Sequence, residues 1–242
     1  MTGNGFGVWL IEPENSPDLA FFSSDERTWA SRLARERDRD SFLATRLALR
    51  CLLADVTNMH PSELRFTHNA WGKPRLDVAH LSSAFDFSVS HTDGLAAIAL
   101  SKGARVGVDI ERKRTVPDCH RIAADMFCEQ VAGRLAALPR HDQDVTFLRL
   151  WTAAEAFVKA AGVGLGWHES AIPISLTRDD NAEMQTDGRY QFDARSEWAL
   201  MRLDLPGCFV GSIVVEGSSS LHPPICVPTK VELAQLVSRH MH

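Results

Sequence analysis

Two periods divide the chain. Apolar and polar residues alternate along Phe85–His91 and Val106–Glu111, the period of two expected of strands with one buried face, and the apolar run Gly7–Ile11 reads as a first strand. Leu95–Ser101 is apolar enough to be a central strand, and Thr92-Asp93-Gly94 turns the chain into it as a hairpin. Leu64-Arg65-Phe66 reads as a short strand and Asn69–Pro74 as a turn. Ile172–Leu176, Arg189–Phe192, Glu197–Leu203 and Cys208–Val215 complete the strand-like stretches.

A helical period runs from Asp25 to Val56, with Ser24 or Asp25 as cap and a break near Asp38–Ser41. It returns from Asp118 to Leu138, and again in a helix capped by Asp144 and ended by Gly162 and Gly164. From Gly217 the Ser- and Pro-rich chain reads as a linker, with a short helix over Lys230–Arg239.

The pattern repeats. Ser41-Phe42-Leu43 opens one helix as Thr146-Phe147-Leu148 opens another, and the hairpin at Thr92–Ala99 answers the one at Leu205–Ile213. The predicted fold class is α+β: two similar halves related by a pseudo-twofold, each a small antiparallel sheet packed with a long helix and meeting at a cleft. The predicted boundaries are 1–105, 106–216 and a linker and tail over 217–242. Superposing the helices sets Arg50 opposite Glu155, so basic residues come from the first half and acidic ones from the second.

Composition narrows the class. In 242 residues, 45% hydrophobic and 24% charged content is that of a folded globular chain, and a net charge of -5 argues against a nucleic-acid binder driven by overall charge. Five scattered cysteines without a C-x-x-C pair suggest a reducing cytoplasm. No signal segment and no run of about 18 apolar residues is visible, so export and membrane spanning are not expected.

Candidate chemistry begins at Asp109 and Glu111. On a strand at roughly 3.3 Å per residue they stand about 7 Å apart on one face, where like charges call for water or a cation between them. Oxygen donors favour magnesium, manganese or calcium; the plain alternative is the wet side of an edge strand. Trp151, Glu155 and Lys159 share one helix stripe, which an ordinary Glu155–Lys159 ion pair also explains. Arg46 and Arg50, one turn apart, are either a solvated face or a two-pronged anion clamp. Ser90 and His91 sit where a strand meets its turn.

Together, Gly107-Val108-Asp109-Ile110-Glu111, Trp151–Lys159, Gly72-Lys73-Pro74 and Phe87-Ser88-Val89-Ser90-His91 resemble the pseudo-dimeric, surfactin-synthetase-activating type of 4'-phosphopantetheinyl transferase, over about residues 40 to 165. The resemblance implies magnesium-dependent transfer of the phosphopantetheine arm of coenzyme A to a serine of an apo acyl or peptidyl carrier protein, releasing adenosine 3',5'-bisphosphate. Such enzymes serve fatty acid, polyketide and nonribosomal peptide synthesis.

It further implies Asp109, Glu111 and Glu155 as magnesium (or manganese) ligands, with Asp109, Glu155 and Lys159 catalytic and Glu155 the proton acceptor. Arg46, Arg50, Lys73, Pro74, Ser90, His91 and Lys159 are the expected coenzyme A contacts, and Arg112-Lys113-Arg114 is either plain solvated charge or a docking surface for an acidic carrier. A cytoplasmic monomer follows, since one chain carries both halves, with no nucleic acid or membrane partner.

One position departs from the family pattern. Ala154 stands where a Lys is usual; at about 100° per residue that ammonium would lie beside the metal face, with Arg149 or Arg50 as substitutes for its charge. Two other readings use the same residues: a noncatalytic carrier-protein or coenzyme A binding homologue, and a magnesium-dependent phosphohydrolase.

Overall fold

The computed structural model describes residues 5–13, 19–77, 85–163, 172–184, 197–217 and 225–240. In chain order the elements are β1 (Phe6–Ile11), α1 (Ser24–Ser31), α2 (Glu36–Thr57), β2 (Phe66–His68), β3 (Pro74–Leu76), β4 (Phe85–Thr92), β5 (Leu95–Lys102) and β6 (Val106–Arg112). Then follow α3 (Cys119–Met126), α4 (Glu129–Ala137), α5 (Arg140–Ala161), β7 (Ile174–Leu176), β8 (Ala182–Met184), β9 (Trp198–Leu203), β10 (Phe209–Glu216), β11 (Ile225–Cys226), β12 (Thr229–Lys230) and α6 (Leu233–Ser238). They form two units, 1–103 with 228–242, and 104–227.

In the first unit the sheet runs β12-β1-β5-β4, with β5 central as its apolar run predicts. The 22-residue α2 buries Leu43, Leu47, Leu49 and Leu53 in one core with Phe87, Ile98 and Leu100. Its start corrects the sequence reading: the helices part at Arg32–Arg35, and Asp38 lies in the first turn of α2, where a carboxylate complements the helix dipole. α1 is capped by Ser23 in a reciprocal box with Glu26. The terminal segment is bound to this unit: β12 pairs parallel with β1, and Leu236 of α6 is buried in the α2 core.

The second sheet runs β11-β9-β10-β6, with α5 packed on β6 and β10. Gly107 sets that contact. A Cβ there would stand 2.0 Å from the Ala156 carbonyl oxygen and 2.4 Å from the Ala160 nitrogen, so only a glycine lets the helix backbone come this close.

α5 begins after Pro139, four residues before its predicted cap. Asp144 is inside the helix and accepts from the Val116 backbone N–H at 3.2 Å. The stretch read as one helix over Asp118–Leu138 is two, because Phe127 is extended. β8 was not legible as a strand; Arg189–Phe192 and Gly164 lie outside the described residues.

The units share a three-stranded core. In each, the first strand of the unit (β1 or β6) and a later hairpin partner (β4 or β9) flank a central strand (β5 or β10), all antiparallel. The fourth strand differs: β12 adds to β1, whereas β11 adds to β9 and leaves β6 at the edge of its sheet.

Candidate active site

Close packing at Gly107 sets β6 and α5 so that their charged residues meet. Asp109 is buried at 6% exposure, with Oδ1 held by Lys159 Nζ at 2.7 Å; the same ammonium donates to the Val108 carbonyl at 3.2 Å. The Glu155–Lys159 pair that the helical spacing predicts is therefore replaced by an interelement bond. Glu155 is left with Oε1 buried and without a hydrogen-bond partner.

Burial first, then the Asp109 carboxylate, raises the Glu155 carboxyl above the usual range. Glu111 adds to the effect and Lys159 offsets only part of it. The three acidic side chains thus share one electrostatic neighbourhood. Below Glu155 on the helix, Thr152 Oγ1 meets Ser212 Oγ at 3.2 Å, and Ser212 is the strand partner of Asp109.

The basic run after β6 is engaged within its own unit. Arg114 binds Glu111 Oε2 at 2.6 Å, Lys113 Nζ donates to the Gly207 carbonyl at 2.7 Å, and Arg112 lies over the Phe209 ring. Among the described residues, no three His, Cys, Asp or Glu side chains are drawn into a metal-holding cluster. Cationic side chains occupy Asp109 and Glu111 instead.

The first unit carries the other candidates. Arg50 does not face solvent as its spacing predicts. It is 1% exposed, with Nε and Nη2 on the Glu26 carboxylate at 3.3 and 2.6 Å and Nη1 on the Pro61 and Leu64 carbonyls at 2.6 and 3.0 Å. These bonds fasten α1 and the Pro61–Leu64 turn to α2, so the two-pronged clamp is not formed.

Arg46 stays near the surface, its guanidinium over the Phe42 and Phe66 rings at 5.7 and 5.6 Å, with no hydrogen bond or ion pair among the described residues. Burial, and the charge of Arg50, pull its pKa down against the opposing pull of Glu26. Lys73 Nζ binds Asp86 at 2.6 Å, and Pro74 opens β3 opposite His68. Ser90 is buried and His91 exposed on β4, so these neighbours face opposite sides of their strand.

Ala154 is fully buried among apolar residues of the α3–α4–α5 cluster. The departure from the family pattern thus falls at a core position of this chain; of the two proposed substitutes for its charge, Arg50 is locked to Glu26, and Arg149 lines a cavity with Lys113 and Arg202. Sequence reasoning missed two contributors, Gly107 and the Thr152–Ser212 pair. A glycine inside an apolar strand was the available signal for the first; nothing local marks the second.

Two family models cover the chain in tandem: 4'-phosphopantetheinyl transferase, N-terminal, over residues 12–103, and the 4'-phosphopantetheinyl transferase superfamily over residues 105–206. The chain is 31% identical over 215 residues to the 4'-phosphopantetheinyl transferase HetI of Nostoc sp., covering 87% of each. It is 26% identical over 184 residues to Sfp of Bacillus subtilis, covering 74% of this chain and 80% of that one. With the human L-aminoadipate-semialdehyde dehydrogenase-phosphopantetheinyl transferase it shares 27% over 208 residues, 80% of this chain and 67% of that one. On this similarity, and with two tandem α+β units, the chain belongs to the 4'-phosphopantetheinyl transferase family.

Proposed function

We propose that the chain transfers the 4'-phosphopantetheine arm of coenzyme A to a serine hydroxyl of an apo acyl or peptidyl carrier protein, releasing adenosine 3',5'-bisphosphate. The observation that carries this reading is the buried, unpartnered Glu155 Oε1 beside Asp109 and Lys159. A carboxylate oxygen without a partner in a buried setting is costly unless a cation or a proton completes it.

Asp109, Glu111 and Glu155 fit a magnesium ion by donor type, all hard oxygens, and by the unfilled valence of Glu155, once Asp109 and Glu111 exchange their lysine and arginine partners. When bound, the ion supplies Lewis-acid polarisation of the diphosphate.

The chain's own groups do the rest. Glu155, whose burial and acidic neighbours raise its carboxyl above the usual range, accepts the serine proton as the serine oxygen bonds to phosphorus. The bond from that phosphorus to the departing bisphosphate breaks. Lys159 offsets charge on the phosphoryl oxygens. Arg46 offers an undivided guanidinium to the nucleotide end, and Lys73 with its neighbour Pro74, Ser90 and His91 belong to the coenzyme-contacting set of the first unit. Arg50 is left out because its donors are spent inside the fold.

In this reading the first unit serves the nucleotide and the second the metal, in a cytoplasmic monomer that needs no nucleic acid or membrane. Among the described residues no helix is long and apolar enough to cross a membrane. The test is incubation with coenzyme A, magnesium and an apo carrier. A carrier mass gain of about 340 Da, abolished by chelator and by Asp109→Ala, is the expected result. Coenzyme binding without transfer would instead make this a noncatalytic homologue, and hydrolysis without a carrier a phosphohydrolase.

A further inference from the structure

A second recess in the 104–227 unit is separate from the carboxylates. It is a cavity of about 160 Å³ where the β9–β10 turn meets α5, lined by Lys113, Arg149, Arg202, Asp204, Phe209 and Ser212 among others. Three cations face one carboxylate there. The guanidinium groups of Arg149 and Arg202 have no hydrogen bond or ion pair among the described residues, whereas Lys113 is anchored to the Gly207 carbonyl. Arg202 is exposed and Arg149 half-buried, so the recess opens to solvent with both residues in its lining and neither guanidinium spent on a carboxylate. Arg134, for comparison, spends its donors on Asp180 and two carbonyls of the same unit.

We propose that this cavity is a binding site for a small oxyanion, a phosphate or carboxylate group carried by a molecule of a few heavy atoms. Size sets the class. The volume of about 160 Å³ is below the ~300 Å³ at which drug-sized sites begin, which suits a small group.

Residue type sets the chemistry: two arginines and a lysine are among the lining residues, together with Ser212. The same Ser212 bonds Thr152 on α5 and pairs across the sheet with Asp109, so an occupant touches a residue coupled directly to the carboxylate neighbourhood. The proposal does not depend on the transfer reaction, because the site is defined by residues outside that chemistry.

The test needs neither coenzyme nor carrier. Inorganic phosphate and succinate are titrated separately into the full chain while the backbone amides of Gly211, Ser212 and Arg202 are followed by NMR. The proposal requires saturable shifts at these amides with at least one of the two probes; the stronger probe identifies the group as phosphate or carboxylate. Arg149→Gln and Arg202→Gln should each weaken the binding by about ten-fold or more, as expected for loss of a charge-assisted contact, with thermal unfolding of each variant near that of the parent. Lys230→Gln, which removes one exposed charge from the other unit, should leave it unchanged. Should neither probe shift these amides, or should all three variants weaken binding alike, the cavity is not an oxyanion site. Should one arginine variant fail to fold, the other carries the test.

Discussion

Two arginines one turn apart on α2 look equivalent to periodicity, yet one is a core residue and the other a half-buried cation on two phenyl rings. What separates them is Glu26, 24 residues earlier, whose burial tends to raise its pKa but whose bonds to Arg50 and Ser23 outweigh that and lower it. No local pattern carries a partner that distant. Periodicity places Asp109 on a strand and Glu155 on a helix, and only the family resemblance joined the two. That Lys159 would choose Asp109 over Glu155 was not legible.

The raised Glu155 carboxyl yields a prediction with a definite sign. Its folded-state value lies above the unfolded value of about 4.3, so the stability it confers is present at low pH and is lost as pH rises through the folded value. Glu155→Gln should therefore raise the metal-free melting temperature at neutral pH, leave it little changed near pH 4, and abolish transfer. Calorimetry at the two pH values checks the sign; a lower melting temperature at neutral pH would show that the carboxylate is stabilised where it stands.

Elements were legible where the period was long and strong, and mislaid where a few residues decide. The existence of α2 and α5, the β4–β5 hairpin and the centrality of β5 follow from apolar pattern. The break at Phe127, the start of α5 at Arg140 and the strand β8 do not, because a single extended residue, a proline cap and a three-residue strand carry no period. Gly107 shows how one residue governs the contact between two elements. Adding a methyl there forces the α5 backbone away from β6, which moves Lys159 and Glu155 relative to Asp109. Gly107→Ala should cost about 1–3 kcal/mol, the usual range for overpacking, and should reduce transfer more than the stability loss explains. Denaturant unfolding beside single-turnover rates checks both; wild-type values would mean that the helix has room to spare.

At the scale of the whole molecule, the repeated helix opening and hairpin pointed to two α+β units, and two tandem family models match them. The strand order was beyond reach, because β11 and β12 have two residues each and too little pattern to choose an edge. β12 and α6 nevertheless complete the first unit: Val231 donates to the Leu10 carbonyl at 3.0 Å, and Arg239 bonds Asp55 at 3.2 Å. Ending the chain after Val227 should lower the protection of β1 and α2 amides against hydrogen exchange while leaving α5 and β6 protected. Equal loss in both units would mean that they unfold as one.

That discontinuous unit sets an order of events during synthesis. Residues 104–227 leave the ribosome as one uninterrupted stretch, whereas the N-terminal sheet must wait for a strand and a helix made after them. At about 5–20 residues per second the interval between residue 103 and the closing segment is roughly 6 to 25 seconds. For that time the nascent protein holds an unzipped β1 edge and an uncovered patch of α2, the surfaces on which a holding chaperone or a neighbouring chain can act.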